Sequence, residues 1–172
     1  RNHDSHKAAL LELARTNGAA LASHDDTTIE HVEESLAAGM RVAEFPTTVE
    51  AATASHEAGL AVMMGAPNVV RGGSHSGNVS ARELAERGVL DLLSSDYVPV
   101  SLLSGAWKLK DVPAVGGLPG AIRLVSKAPA EAVGLFDRGE IAPGKRADFV
   151  RVSLHDDRPI VREVYACGRR VA

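Results

Sequence analysis

A repeating unit of strand, polar loop and helix constrains the fold of this chain more than any other feature of its sequence. Short apolar runs suited to buried strands occupy residues 19–23, 41–45, 60–64 and 90–93. Ser/Thr-x-x-Glu patterns typical of helix starts follow the first three runs, at Thr27, Thr47 and Ser80. Helix-ending glycines follow in turn, at Gly39, Gly59 and Gly88. Every strand therefore leads through its carboxyl end into a helix, which predicts an α/β fold with a parallel sheet.

Polar residues follow two of these strands, where parallel α/β folds bind their ligands. Asp96 comes after the run that begins at Val89, and His24 comes after the first run. Asp96 is a candidate for chemistry, although it could instead cap a helix near Pro99. Asp25 and Asp26 could orient a His24 that binds metal, or could cap the next helix.

The long segment 65–79 contains a stretch suited to anionic groups. Arginine offers a planar fork to phosphate, and glycine lets backbone N–H groups approach phosphate oxygens. The candidate phosphate-binding residues are Arg71, Gly72, Gly73, Ser74, His75 and Asn78. The stretch lacks the lysine of a Walker motif, and a flexible surface loop is the alternative. Glu44 is an acid in an otherwise apolar strand, so it either contacts a metal or water or forms a salt bridge.

Composition excludes several classes of protein. The 172 residues carry a net charge of −3 without a basic stripe, which argues against nucleic-acid binding. No apolar run is long enough to span a membrane. The single cysteine, Cys167, excludes a disulfide framework and fits a reducing compartment such as the cytoplasm. The chain begins in a polar stretch without an initiator Met or a signal peptide, so we expect it to be the back part of a longer protein.

Five segments carry a resemblance to a known family: 23–28, 44–48, 65–78, 94–97 and 134–149. The last of them reads Gly-Leu-Phe-Asp-Arg-Gly-Glu-Ile-Ala-Pro-Gly-Lys-Arg-Ala-Asp-Phe. Together they resemble the amidohydrolase superfamily of metal-dependent hydrolases and, within it, the diphosphatases of ribose phosphonate catabolism. The resemblance implies the carboxy-terminal half, strands five to eight, of a TIM-like (β/α)₈ barrel in residues 1–135. It also implies strands of a small β domain in residues 136–172.

The resemblance also implies a reaction and a metal site. Water removes pyrophosphate from the 5-triphosphate of a ribose 1-phosphonate, a small phosphorylated sugar phosphonate, with the help of a divalent metal ion, zinc or manganese. His24 matches the strand-five histidine ligand, and Asp96 matches the strand-eight aspartate that holds the attacking water. Strand six lacks its usual histidine, which leaves open a second metal site or the numbering of the strands; Glu44 near that position and His75 in the long segment are the candidate ligands.

The family's His-x-His strand and lysine ligand would precede Arg1. We therefore expect a missing amino-terminal half, or a second copy in a homo-oligomer, to cover the open sheet edges. In either case the His-x-His ligands are absent from residues 1–172, so we expect this chain alone to be inactive. Two other functions stay open. One is an amidohydrolase acting on a cyclic amide or a similar small substrate, and the other is a non-catalytic phosphate-binding α/β module.

Overall fold

A four-stranded parallel sheet forms the centre of the computed structural model, which describes residues 3–74 and 76–172. Its strands lie side by side in chain order, as the repeating units predicted. They are β1 (Ala22–His24), β2 (Val42–Glu44), β3 (Ala61–Gly65) and β4 (Leu92–Ser94). Hydrogen bonds hold Ala22 opposite Val42, Val42 opposite Ala61, and Met63 opposite Leu92. The carboxyl ends of all four strands therefore lie along one edge of the sheet.

Eight helices accompany the strands within the described residues. They are α1 (His3–Thr16), α2 (Ile29–Ala37), α3 (Val49–Glu57), α4 (Ala66–Arg71), α5 (Ala81–Glu86), α6 (Ser101–Leu109), α7 (Gly117–Arg123) and α8 (Lys127–Ala132). A 3₁₀ turn, Pro113–Val115, precedes α7.

The helix starts after β1 and β2 lie one residue later than predicted. Thr28 and Thr48, rather than Thr27 and Thr47, accept the capping hydrogen bonds of α2 and α3. The two preceding threonines instead bond to each other across the loops, with 2.9 Å between their hydroxyl oxygens. Ser80 caps α5 as predicted. The direction of each unit is unchanged by this shift.

The segment after β3 was predicted as a loop, and this was wrong for its first half. Residues Ala66–Arg71 form α4, which has Pro67 in its first turn and ends at Gly72 in the left-handed conformation. Proline is favoured in the first turn of a helix because its missing N–H has no partner there, and glycine is favoured just past the end. Arg71 is therefore held by a helix rather than by a loop.

The two faces of the parallel sheet differ in burial. Side chains alternate between faces along a strand, and the face turned toward the helices is buried throughout. Ala43 and Val62 are fully buried there, and the buried cluster extends to Leu84 and Leu109. On the opposite face His24 is exposed and Glu44 is half-buried. Val42 and Leu92 on this opposite face are buried, so it is partly covered rather than fully open.

A second, antiparallel sheet follows α8. It contains β5 (Phe149–His155), β6 (Arg158–Ala166) and β7 (Arg169–Arg170) in that order. Many apolar side chains near it are exposed: Phe136, Ile141, Val150, Leu154, Val161 and Val171. The indole N–H of Trp107 donates to Asp157 (3.2 Å) and ties α6 to the β5–β6 turn. None of the described helices has the length and apolar character needed to cross a membrane.

Candidate active site

A cavity of about 460 Å³ lies at the carboxyl ends of the four parallel strands. Each strand contributes residues from its end or from the turn that follows, and the segment after α4 forms the remaining wall. The lining residues are His24, Asp25, Phe45, Pro46, Met64, Gly65, Pro67, Asn68, Arg71, Gly73, Ser74, Ser76, Asn78, Val79, Asp96 and Tyr97. The structure thus brings His24, Arg71 and Asp96 to one cavity.

His24 ends β1 between two carboxylates. Its Nδ1 lies 3.2 Å from Asp25 Oδ2, and its Nε2 lies 4.0 Å from Glu44 Oε2. The Phe45 ring meets the imidazole edge-on, with 5.5 Å between ring centres. Asp25 and Phe45 both have left-handed backbones, with φ of 60° and 55°. A bulky residue seldom adopts this conformation, so the backbone here is strained at the rim of the cavity.

Asp26 does not share the role of Asp25. Its carboxylate is buried and accepts hydrogen bonds from the hydroxyls of Ser23 (2.5 Å) and Ser35 (3.2 Å). These hydrogen bonds therefore hold the loop after β1 against helix α2. Neither aspartate caps that helix, because Thr28 does.

Asp96 occupies a tight turn after β4. Its φ is 47°, and the N–H of Val98 donates to the carbonyl of Ser95 (3.0 Å). The alternative that Asp96 caps the next helix is wrong, since α6 begins after Val100 and has no side-chain cap. A Cβ atom built on Gly65 would lie 3.1 Å from Asp96 Oδ2. The carboxylate thus fits against the end of β3 because Gly65 has no side chain.

The predicted phosphate-binding residues divide into two groups. The backbone N–H groups of Gly72 and Gly73 both donate to the carbonyl of Asn68 (3.0 and 2.9 Å), so they close α4 and are not free to bind an anion. Ser74 and Asn78 line the cavity together with Arg71. His75 lies outside the described residues.

Arg71 and Tyr97 meet at the cavity wall, where the guanidinium Nη2 donates to the phenol oxygen. Sequence reasoning missed the contact of Tyr97 with Arg71 and that of Phe45 with His24. Both join side chains that are distant in sequence or depend on a left-handed backbone, which no local pattern specifies. Their only local signal was a position directly after a strand end.

The donors for a metal ion are incomplete within the described residues. His24, Glu44 and Asp96 are a histidine and two carboxylates, which suits zinc or manganese. Nevertheless, no three His, Cys, Asp or Glu side chains among the described residues cluster closely enough to hold an ion. These side chains therefore fit part of a metal site, and the remaining ligands would have to come from outside this part of the chain.

Comparison with known proteins places this geometry in a family. The model of the Amidohydrolase family matches residues 2–169. The chain belongs to the amidohydrolase family. Members similar to it include alpha-D-ribose 1-methylphosphonate 5-triphosphate diphosphatase of Escherichia coli, which is 52% identical over 96% of this chain and 44% of that protein. An adenine deaminase of Nitratidesulfovibrio vulgaris is 30% identical over 98% of this chain and 27% of that protein.

A solved structure shares the fold of this chain. A prolidase crystallised with N-methylphosphonate-L-proline matches with a TM-score of 0.69 and 23% identity, over 96% of this chain and 48% of that one. At this identity the likeness concerns the fold alone. The chain spans less than half the length of the diphosphatase, the deaminase and the prolidase.

Proposed function

We propose that this chain carries part of the active site of a metal-dependent diphosphatase in phosphonate catabolism. The reaction would release pyrophosphate from the 5-triphosphate of a ribose 1-phosphonate. The observation that carries the proposal is the 52% identity to the Escherichia coli diphosphatase over 96% of this chain. The cavity supports it, because a permanent cation, Arg71, and a carboxylate, Asp96, line the same space.

The residues of the cavity suit the two ends of such a substrate. Arg71 would contact the outer phosphates through its guanidinium group, with the side chains of Ser74 and Asn78 beside it. Asp96 would hold the attacking water and accept its proton. Water adds to the phosphorus nearest the ribose, the bond from that phosphorus to the bridging oxygen breaks, and pyrophosphate leaves.

The incomplete donor set can hold a metal only together with other ligands. His24 would bind the ion through an imidazole nitrogen, and Asp96 through its carboxylate. Glu44 would either join them or keep His24 in place, and Asp25 would orient the imidazole from its other nitrogen. When bound, zinc or manganese supplies a Lewis acid that stabilises the charge developing on the phosphoryl group.

The architecture suits half of a (β/α)₈ barrel in residues 1–135 and part of a small β domain in residues 136–172. Strands β1 and β4 are sheet edges, and one face of the sheet is only partly covered. Parallel strands are normally buried on both faces and at both edges. An amino-terminal half, or a second copy, would cover this face, and only an amino-terminal half would also supply the missing ligands.

Metal content and pyrophosphate release test the proposal together. In the protein expressed at its full encoded length, His24→Ala and Asp96→Ala should each lower the bound zinc or manganese and abolish pyrophosphate release. His155→Ala is the matched control, because His155 is an exposed residue of β5 whose imidazole lies 3.6 Å from Asp156 and which does not line the cavity. The 172-residue chain alone should release no pyrophosphate. Full turnover and unchanged metal content in His24→Ala would refute the assignment.

An amidohydrolase acting on a cyclic amide or amidine is the second candidate. The 30% identity to an adenine deaminase over 98% of this chain favours it. Ammonia release from adenine, without pyrophosphate release from the triphosphate, would select this function over the first. Arg71 argues for the diphosphatase, because a neutral purine carries no negative charge to pair with the guanidinium at the cavity wall.

A further inference from the structure

Arg71 and Tyr97 reach the cavity from separate elements and bond to each other there. Arg71 is the last residue of α4, and Tyr97 directly follows Asp96. The guanidinium donates to the phenol oxygen, so the phenol O–H remains available as a donor. Both side chains are largely exposed to the cavity and the solvent beyond it.

The backbone holds the two side chains in a fixed relation. The tight turn at Asp96 lets two consecutive residues, Asp96 and Tyr97, line the same cavity. Helix α4 is packed tightly against α6, where a Cβ built on Gly105 would lie only 3.0 Å from the Cβ of Ala66. The ammonium of Lys108, on α6, donates to the carbonyl of Val70 (2.8 Å) beside Arg71. These contacts fix the position of the end of α4, which carries Arg71, relative to α6.

The charge of Arg71 is not neutralised within the described part of the chain. Its hydrogen-bond partner there is the neutral phenol of Tyr97, and no carboxylate pairs with it. A phenol that accepts a bond from a guanidinium becomes a stronger donor through its own O–H. The pair thus offers one anionic group both the charged N–H donors of the guanidinium and the O–H donor of the phenol.

We propose that Tyr97 is a specificity-determining residue that, with Arg71, binds the outer phosphates of the substrate and selects a triphosphate over a diphosphate. This inference rests on the proposed function and deepens it. A site built to hydrogen-bond a group discriminates strongly against an analogue that lacks the group, because its own donors are then left unpaired. The pair would leave those donors unpaired when a sugar 5-diphosphate enters.

Removal of one oxygen atom tests the proposal. In the full-length protein, Tyr97→Phe should raise the KM for the triphosphate about tenfold and weaken inhibition by inorganic pyrophosphate by a similar factor. The kcat should change less than about threefold, and the preference for triphosphate over diphosphate should fall. Tyr165→Phe is the matched control, because the Tyr165 hydroxyl contacts Glu163 in the antiparallel sheet, away from the cavity.

A double mutant separates a joint role from an independent one. In the Arg71→Ala background, Tyr97→Phe should have less than about threefold further effect, because the phenol has lost the partner that positions it. An undiminished effect in that background, or an unchanged KM in Tyr97→Phe alone, would overturn the inference.

Pyrophosphate binding by calorimetry separates this inference from the proposed function. If pyrophosphate binding depends on Tyr97 but the protein hydrolyses no triphosphate, the diphosphatase function is refuted and the anion-binding site is supported. If the protein hydrolyses the triphosphate but Tyr97→Phe leaves pyrophosphate binding unchanged, the role of Tyr97 is refuted and the diphosphatase function is supported.

Discussion

Replacement of Gly65 by alanine adds a single methyl group beside the carboxylate of Asp96. The new Cβ atom would lie 3.1 Å from Asp96 Oδ2 and 3.4 Å from Asp96 Cβ. Gly65 has φ of −74° and ψ of 129°, an extended conformation that alanine adopts freely. The contact with Asp96, rather than backbone strain, is therefore the whole perturbation.

The expected magnitude follows from these distances. Comfortable contacts between non-bonded heavy atoms lie at about 3.5–4.0 Å, so Asp96 must withdraw by on the order of 0.5 Å. A misplacement of about 1 Å in an active site can reduce the rate about 100-fold, and half of that predicts roughly tenfold in kcat. Stability should change little. Asp96 is exposed and can move, and alanine lowers the entropy of the unfolded chain by an amount worth about 0.4–1 kcal/mol.

Steady-state kinetics of pyrophosphate release and guanidinium denaturation of the full-length protein measure the two effects separately. Gly65→Ala should lower kcat about tenfold and change the free energy of unfolding by less than about 1 kcal/mol. Gly105→Ala provides the contrast, since its Cβ would press on Ala66 inside the α4–α6 contact and cost about 1–3 kcal/mol of stability. Wild-type kcat in Gly65→Ala would refute the claim that this glycine sets the position of the carboxylate.

Two further changes test the surroundings of the site. Asp26→Ala leaves the buried hydroxyls of Ser23 and Ser35 without their acceptor and should destabilise the protein by about 2–3 kcal/mol in urea denaturation; an unchanged midpoint would contradict this. The backbone N–H of Cys167 donates to Asp148 (2.7 Å) and lowers the pKa of this carboxyl from its ordinary value, so the ionised form stabilises the fold above about pH 4 and less as the pH falls further. Asp148→Asn should therefore lower stability at neutral pH and reduce the loss of stability in acid. Thermal melts of wild type and variant across a range of pH measure both effects, and parallel pH profiles of the two proteins would contradict this role of Asp148.

The order and direction of the parallel units were predictable because each strand and helix carried its own local signal. The helix starts were less so, because adjacent threonines, Thr27 with Thr28 and Thr47 with Thr48, are equally good caps. The choice between them depends on a hydrogen bond between two loops that are 20 residues apart. Helix α4 was missed because glycine and serine residues after it outweighed the proline that begins it.

The positions of the candidate site residues could be predicted only as far as strand ends are predictable. His24 and Asp96 could be predicted to line one cavity because a polar residue at the end of an apolar run has no local purpose. The different contacts of two adjacent residues, such as Asp25 and Asp26, could not be predicted in this way. Asp26 turns inward because Ser35, nine residues later, offers it a hydroxyl, whereas Asp25 turns toward His24.

The left-handed residues at the rim of the cavity have a consequence for how this chain can evolve. Asp25, Phe45 and Asp96 each occupy a conformation that costs a side-chain-bearing residue about 1–2 kcal/mol and costs glycine almost nothing. Selection for heat resistance alone would replace them with glycine or asparagine. Under the proposed function Asp25 and Asp96 serve the reaction, so glycine at either position would relieve the strained backbone and lower the activity.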